Sequence, residues 1–408
     1  CTAEDATPNH TPPRKTLPWQ ITAELAVAAA MTAATASAMD FTLYGIVDTG
    51  LGYTNVDTLR NPTVNKFEMI NGYNSGSRFG FKGTEDLGNG YAVSFVLENG
   101  FQSDSGKLGQ NDRMFGREAQ LKFHSPYGTL SFGRAGTLIS GAGTLDIWGV
   151  NADVLPGGWD GIFNIGNYQG NGMRLDNMVT YQTPTAAGFT GYLQYSFAND
   201  TTDGDDDSQP NERNNNRYFA AGLTYNNGPV GVVVIYDTLM FRHYGGENLD
   251  FKDDDADVGD SRVLSIGGHY DFGSFKLTAF GQYVKGSRSG FGDGLGYSIP
   301  FWHQGADADH SYYYDADGYN FHIGAQIPMD SWGRLYVGAY YGYLEANDDS
   351  LNSEAKNFNV LVGHEYDLSK RTTIYSGVAY KQMENENDKM QLGKMKATQV
   401  IVGLRHIF

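Results

Sequence analysis

Short runs in which apolar and polar residues alternate recur from residue 41 to the C-terminus. Beyond residue 38 no run approaches the roughly 20 apolar residues of a membrane-spanning helix. In 41–53, Phe41, Leu43, Val47, Leu51 and Tyr53 fall on one face and Thr42, Tyr44, Asp48 and Gly52 on the other, the period of a strand. One such strand fits a sandwich as well as a barrel. Repetition separates them. Phe79 and Phe81 alternate with Arg78, Gly80, Lys82 and Thr84, and after a turn at 85–90 Tyr91, Val93, Phe95, Leu97 and Phe101 oppose Ser94 and Glu98. Tight polar turns at 125–128, 183–188, 226–229, 271–274, 328–333 and 367–371 alternate with long polar segments at 198–216, 242–260, 286–317, 346–356 and 383–394. The count is about sixteen strands of roughly ten residues, even in number, with short turns at one end and long loops at the other. A sandwich does not segregate its loops by length, so the expected fold is all-β: a transmembrane antiparallel β-barrel. Tyr91, Tyr181, Tyr225, Tyr270, Tyr341, Tyr343 and Tyr366 sit near strand ends, where an aromatic girdle meets the lipid interface.

Composition closes other routes. The formal net charge of -18, with no lysine or arginine cluster outweighing its neighbouring acids, argues against a nucleic-acid partner. Cys1 is the only cysteine, which removes a disulfide framework and a thiol metal site. Arg14-Lys15, the apolar run 25–34 and Ala36-Ser37-Ala38 read as a secretory signal cleaved after Ala38, although Pro18, Trp19 and Glu24 interrupt it. Residues 1–38 are therefore expected to be an upstream extension plus signal peptide, and 39–408 the barrel; the alternative for 25–38 is a short buried helix. The acidic clusters Asp203, Asp205, Asp206, Asp207 and Asp253, Asp254, Asp255, Asp257 lack the glycine and glutamate of a calcium-binding helix–loop–helix hand, so they read as solvated loops, with no metal and no cofactor. An outer-membrane enzyme is a rival reading, yet the chain carries no G-x-S-x-G and no H-E-x-x-H, and His269, His322 and His364 read as structural strand histidines. A surface adhesin or receptor is the other rival, with Phe301, Trp302, Tyr312, Tyr313 and Tyr314 as loop contacts.

Residues 133–174 break the alternating pattern. This stretch is glycine-rich, carries Asp146, Asp153 and Asp160, and is bracketed by Arg134 and Arg174. A structureless segment of that length inside a compact domain is usually functional. Residues 136–172 are expected to fold into the lumen and narrow it, because an acidic segment beside a basic inner wall lowers its energy by turning inward. Strand parity puts Arg78 and Arg174 on the inner face, against Phe79, Phe81, Leu175 and Val179 outside. Arg117 and Arg134 share the parity of Leu121, Phe123, Leu130 and Phe132, so they face inward only if a bulge or a place above the apolar band re-aims them.

The segments FTLYGIVDTGLGY at 41–53, SRFGFKGTEDLGNGYAVSFVLENGF at 77–101, FGREAQLKF at 115–123, YGTLSFGR at 127–134, RLDNMVTYQTP at 174–184 and the terminal VIVGLRHIF resemble the trimeric general porins of Gram-negative outer membranes, particularly the β-proteobacterial branch. The resemblance implies a passive channel for small hydrophilic solutes and ions, a homotrimer seated among lipid and lipopolysaccharide, and insertion by the barrel-assembly machinery with Phe408 as signal. It implies a constriction where loop acids face wall arginines: Arg78, Arg117 and Arg174, with Lys82 on the face of Arg78, Glu98 and Arg134 nearby, and Asp146 and Asp153 opposite. Gly157 and Gly158 stand where many porins carry a further acid, and Asp160 is the expected substitute. Constriction arginines favour anions while the acidic outer loops favour cations, which predicts a slight anion preference at most.

Overall fold

A computed structural model describes residues 40–58, 63–140, 143–155, 159–164, 174–199, 216–240, 260–287, 302–304, 311–313, 316–347, 353–387 and 390–408. The signal-like segment 1–38, both acidic clusters, Gly157, Gly158, and the side chains of Phe301, Trp302 and Tyr312 to Tyr314 lie outside the described residues.

Strand β1 (Asp40–Thr58) is followed by β2 (Val64–Asn71) and β3 (Arg78–Gly88), both of which pair with it. Then come β4 (Tyr91–Gly100), β5 (Glu118–Ser125) and β6 (Gly128–Gly136). The segment after β6 carries a short helix α1 (Ile147–Ala152) and a single 3-10 turn (Gly161–Phe163). The ladder resumes with β7 (Arg174–Gln182), β8 (Phe189–Ser196), β9 (Arg217–Asn227), β10 (Val230–Met240), β11 (Ser261–Asp271) and β12 (Lys276–Ser287). A separate two-stranded ribbon, β13 (Trp302–Gln304) with β14 (Ser311–Tyr313), precedes β15 (Ala316–Pro328), β16 (Arg334–Ala346), β17 (Ser353–Ser369), β18 (Thr372–Asn387) and β19 (Met390–Ile407).

β19 returns to pair antiparallel with β1, Ile407 opposite Ile46 and Met395 opposite Thr58. The sheet of 17 segments therefore closes on itself, and because β2 and β3 share β1 as a neighbour they count as one stave of a sixteen-strand barrel. Closure leaves no free edge, the condition for β structure in hydrocarbon. Parity behaves as read: on β15, Tyr319, Phe321 and Ile323 are exposed and Asn320 and His322 buried. Tyr270 and Tyr366 are exposed near strand ends, with Phe272, Trp332 and Leu368 beside the short turns, while Tyr341 is exposed at mid-strand.

Two expectations are corrected. Residues 383–394 form no long loop, because β18 and β19 continue pairing past Met383 opposite Met395 to Asn387 opposite Met390. Ion pairs from Lys394 to Glu384 and from Lys356 to Glu386 make a hairpin of polar residues stable above the apolar band. Leu175, assigned by parity to the lipid face, is buried; Asn177, two residues on, has φ 50 and interrupts the regular alternation there.

The C-terminal residue extends the closing seam. Gly45 N donates to Phe408 O at 3.1 Å, and Phe408 N donates to Gly45 O at 3.0 Å. A Cβ at Gly45 would lie 2.3 Å from Phe408 Cζ, so the position admits the terminal ring only as glycine. Deleting Phe408 removes both bonds, at about 1 kcal/mol each, from the last contact that closes the cylinder. The expected result is a marked loss of the heat-resistant folded band on unheated gels, and equal yields of folded barrel with and without Phe408 would contradict it.

Candidate functional site

The inner wall formed by β3 to β7 gathers cations. Arg117 Nε lies 2.7 Å from Glu98 Oε1, Arg78 Nη1 lies 3.9 Å from the same oxygen, and Tyr44 OH donates to Glu98 Oε2 at 3.0 Å. Arg117 escapes the outward parity of β5 because it precedes the strand, its own N–H donating to Glu98 O at 3.2 Å. Arg134 is re-aimed by a bulge: the β6–β7 register shifts between Gly133 and Ala135, and Gly133 has φ 126. Its guanidinium reaches Asp176 at 2.5 Å, which Arg113 also meets at 2.8 Å. Arg174, at the start of β7, has no acidic partner among the described residues. Lys82 is exposed, its Nζ 5.3 Å from the centroid of the Tyr44 ring, and has no carboxylate partner among the described residues.

Three members were not singled out from sequence. Arg113 lies in the connection from β4 to β5, where no strand period aims it. Asp176 and Glu118 follow from parity, being two residues from Arg174 and Gln120 on inward-facing sets. Glu118 accepts from Thr144 N at 3.1 Å and from Thr144 Oγ1 at 2.5 Å, tying the wall to the root of the long segment. Asp176→Asn deprives two guanidiniums of their shared carboxylate, so a lower melting temperature and a shift of ion preference toward anions are expected. Circular-dichroism melts and reversal potentials check both effects.

The segment between β6 and β7 packs on the opposite wall, from β9 round to β19. Its apolar residues Leu138, Ile147, Trp148, Ala152, Val154, Leu155, Trp159, Ile162 and Phe163 are all buried. They meet inward glycines: a Cβ at Gly267 would fall 2.6 Å from Ala152 Cβ, and one at Gly324 2.6 Å from Val154 Cβ. Polar ties fix the path. Asn151 O meets His269 Nδ1 at 3.0 Å, Gln326 Nε2 donates to Val154 O at 2.9 Å, and Asn359 Nδ2 donates to Ile162 O at 2.7 Å. Asp160 N donates to Tyr73 O at 2.7 Å.

The three acids of the segment separate. Asp146 caps α1, its Oδ1 accepting from Gly149 N at 2.7 Å, and Asp160 is exposed. Both line one cavity of about 580 Å³ together with Arg78, Arg117 and Arg174. Asp153 does not line it; its Oδ1 accepts from Leu155 N at 3.0 Å, closing the end of α1. Burial raises the carboxyls of Asp146 and Asp153 above the ordinary carboxylate range, Asp153 to about 7. Among the described residues no group of three His, Cys, Asp or Glu side chains is placed to hold a metal ion.

A closed barrel with an apolar outer band and a charged lumen defines the class: a transmembrane channel protein. The Gram-negative porin family model matches residues 25–388. The chain is 34% identical over 389 residues to an outer membrane porin protein of Bordetella pertussis, covering 90% of this chain and 94% of that one. It superposes on an anion-selective porin from Comamonas acidovorans with a TM-score of 0.63 at 24% identity, covering 91% of this chain and 100% of that one. Its fold also matches the trimer form of OmpT of Vibrio cholerae, with a TM-score of 0.54 at 15% identity, covering 91% and 100%. The chain belongs to the Gram-negative porin family and forms a channel in the outer membrane.

Proposed function

We propose that this channel passes small hydrophilic solutes and ions by passive diffusion, without a catalytic step, and that residues 136–172 narrow it at the level of Arg78, Arg117 and Arg174. The observation that carries the reading is a cavity of about 580 Å³ lined by Arg78, Arg117 and Arg174 of the wall and by Asp146 and Asp160 of the segment. Opposite charges held apart across water impose a transverse field, which orients dipolar solutes and disfavours apolar ones. On the cavity's own lining the three guanidiniums outnumber the carboxylates of Asp146 and Asp160, which favours anions. The carboxylates of the outer loops are screened over about 8 Å at physiological ionic strength, so the nearer charges dominate and a weak anion preference results.

A homotrimer is part of the proposal. It is supported by the family, by the trimer form of the Vibrio cholerae protein, and by the exposed apolar residues Leu43, Val47 and Leu51 on β1, which suit a subunit contact as well as lipid. Reconstitution into planar bilayers tests the channel reading through stepwise conductance and the reversal potential in a potassium chloride gradient. A clear cation preference would overturn the proposed role of the arginines, and crosslinking in mild detergent that yields monomer alone would overturn the trimer.

A further inference from the structure

Between β2 and β3 the chain leaves the sheet for six residues, 72–77, and both enters and returns beside Asp48. Gly72 N donates to Asp48 O at 3.1 Å, and Asp48 N donates to Ser77 Oγ at 3.1 Å. The excursion points into the lumen, since Asn74 Nδ2 reaches Glu365 on β17 at 2.6 Å and Asn74 Oδ1 accepts from Arg405 on β19 at 2.7 Å. We propose that this turn is a second constricting element and that Asp48, buried at its base, is the positioning residue that sets the gap between the acidic segment and the arginine wall. The inference rests on the channel reading above and adds a determinant that carries no charge into the pore.

The turn touches both sides of the cavity. On one flank Tyr73 O accepts from Asp160 N at 2.7 Å. On the other, Gly76 O accepts from Arg78 Nε at 2.8 Å, and a Cβ at Gly76 would stand 3.0 Å from Arg117 Nη1. Moving the turn therefore moves Asp160 and Arg78 relative to each other. The Asp48 carboxylate holds it as an acceptor: Oδ2 accepts from Asn74 N at 3.0 Å and from Ser75 N at 2.6 Å, while Oδ1 accepts from Tyr375 OH at 2.6 Å. Asp48 is fully buried, so these charge-assisted bonds have no competing water. An alanine there removes both carboxylate acceptors and leaves the N–H groups of Asn74 and Ser75 without their partner, so the turn is no longer held in place. An asparagine keeps an acceptor for the two amides, because the Tyr375 hydroxyl can reverse and accept from its NH2 group.

The test is single-channel conductance and reversal potential of the full-length protein in planar bilayers. Asp48→Ala is expected to raise conductance and move the reversal potential toward zero, and Asp48→Asn to restore values near wild type. Gly76→Ala, which adds a methyl group under the guanidiniums, is expected to lower conductance. Folded Asp48→Ala with wild-type conductance and reversal potential overturns the proposal. If Asp48→Ala gives no heat-resistant barrel, Gly76→Ala decides: lowered conductance supports the proposal and unchanged conductance overturns it. Failure of the channel reading itself would show differently, as wild-type protein without conductance steps.

Discussion

Neutralising Arg78 and Arg174 together, as Arg78→Gln and Arg174→Gln, is expected to move the ratio of anion to cation permeability by roughly tenfold toward cations. The size follows from Coulomb's law: a unit charge about 4 Å from an ion in water is worth about 1 kcal/mol, two such charges about 2, and salt in the lumen reduces the sum toward the 1.4 kcal/mol that corresponds to tenfold. Both residues line the cavity. Arg174 has no acidic partner among the described residues, and Glu98 keeps its shorter pair with Arg117 at 2.7 Å when Arg78, at 3.9 Å, is removed. Melting temperature and heat resistance should therefore stay near wild type. Lys82→Gln serves as the control, because Lys82 is absent from the cavity wall and should leave selectivity where it was. A reversal potential that stays put in the double variant means that these arginines do not set the pore's field.

Much of this arrangement was legible in the sequence because a strand's period is two, and one exposed face fixes the other. Arg78 could be placed inside from Phe79 and Phe81 alone, and the short turns at 226–229 and 271–274 fall where β9 meets β10 and β11 meets β12. Parity fails where the backbone changes its count. Arg134 turns inward only through the bulge at Gly133, and Arg117 only because the ladder starts one residue later. The hairpin of β18 and β19 was hidden by polarity, since Glu384, Lys394, Lys356 and Glu386 look like a loop until their pairing is seen. The acids of the long segment were recognised as a group, with Asp160 expected at the constriction, yet only the folded path turns Asp153 away to its own backbone.

The seat of that segment had a signal that parity reading passed over. β10 reads VGVVVIYDTLM, apolar on both faces, which is the pattern of a strand covered on both sides and not of one facing water. Val233 and Ile235 point into the barrel and are buried there, so the apolar core of the molecule is the lumen wall together with the inserted segment. Packing of the segment on that wall is thus favoured by burial of apolar surface.

Trp159→Ala is expected to release the segment and give the largest rise in conductance of any single change considered, with heat resistance of the barrel little altered. The indole is fully buried, with ring centroids 5.6 Å from Phe163, 6.2 Å from Tyr336 and 5.6 Å from Tyr375. Truncating such a residue costs about 3–5 kcal/mol, and here the loss falls on docking of the segment, because the ladders from β16 through β19 to β1 close without it. The wall side offers an independent approach to the same seat. A Cβ at Gly363 would stand 3.1 Å from the Trp159 ring, so Gly363→Leu, acceptable to a strand, displaces the indole without touching the segment's sequence. Both variants should conduct more than wild type, with noisier open-channel current and faster proteolysis within 137–173. Wild-type conductance and noise in both would mean that the segment keeps its path without this anchor, and that the polar ties from His269, Gln326 and Asn359 suffice to hold it.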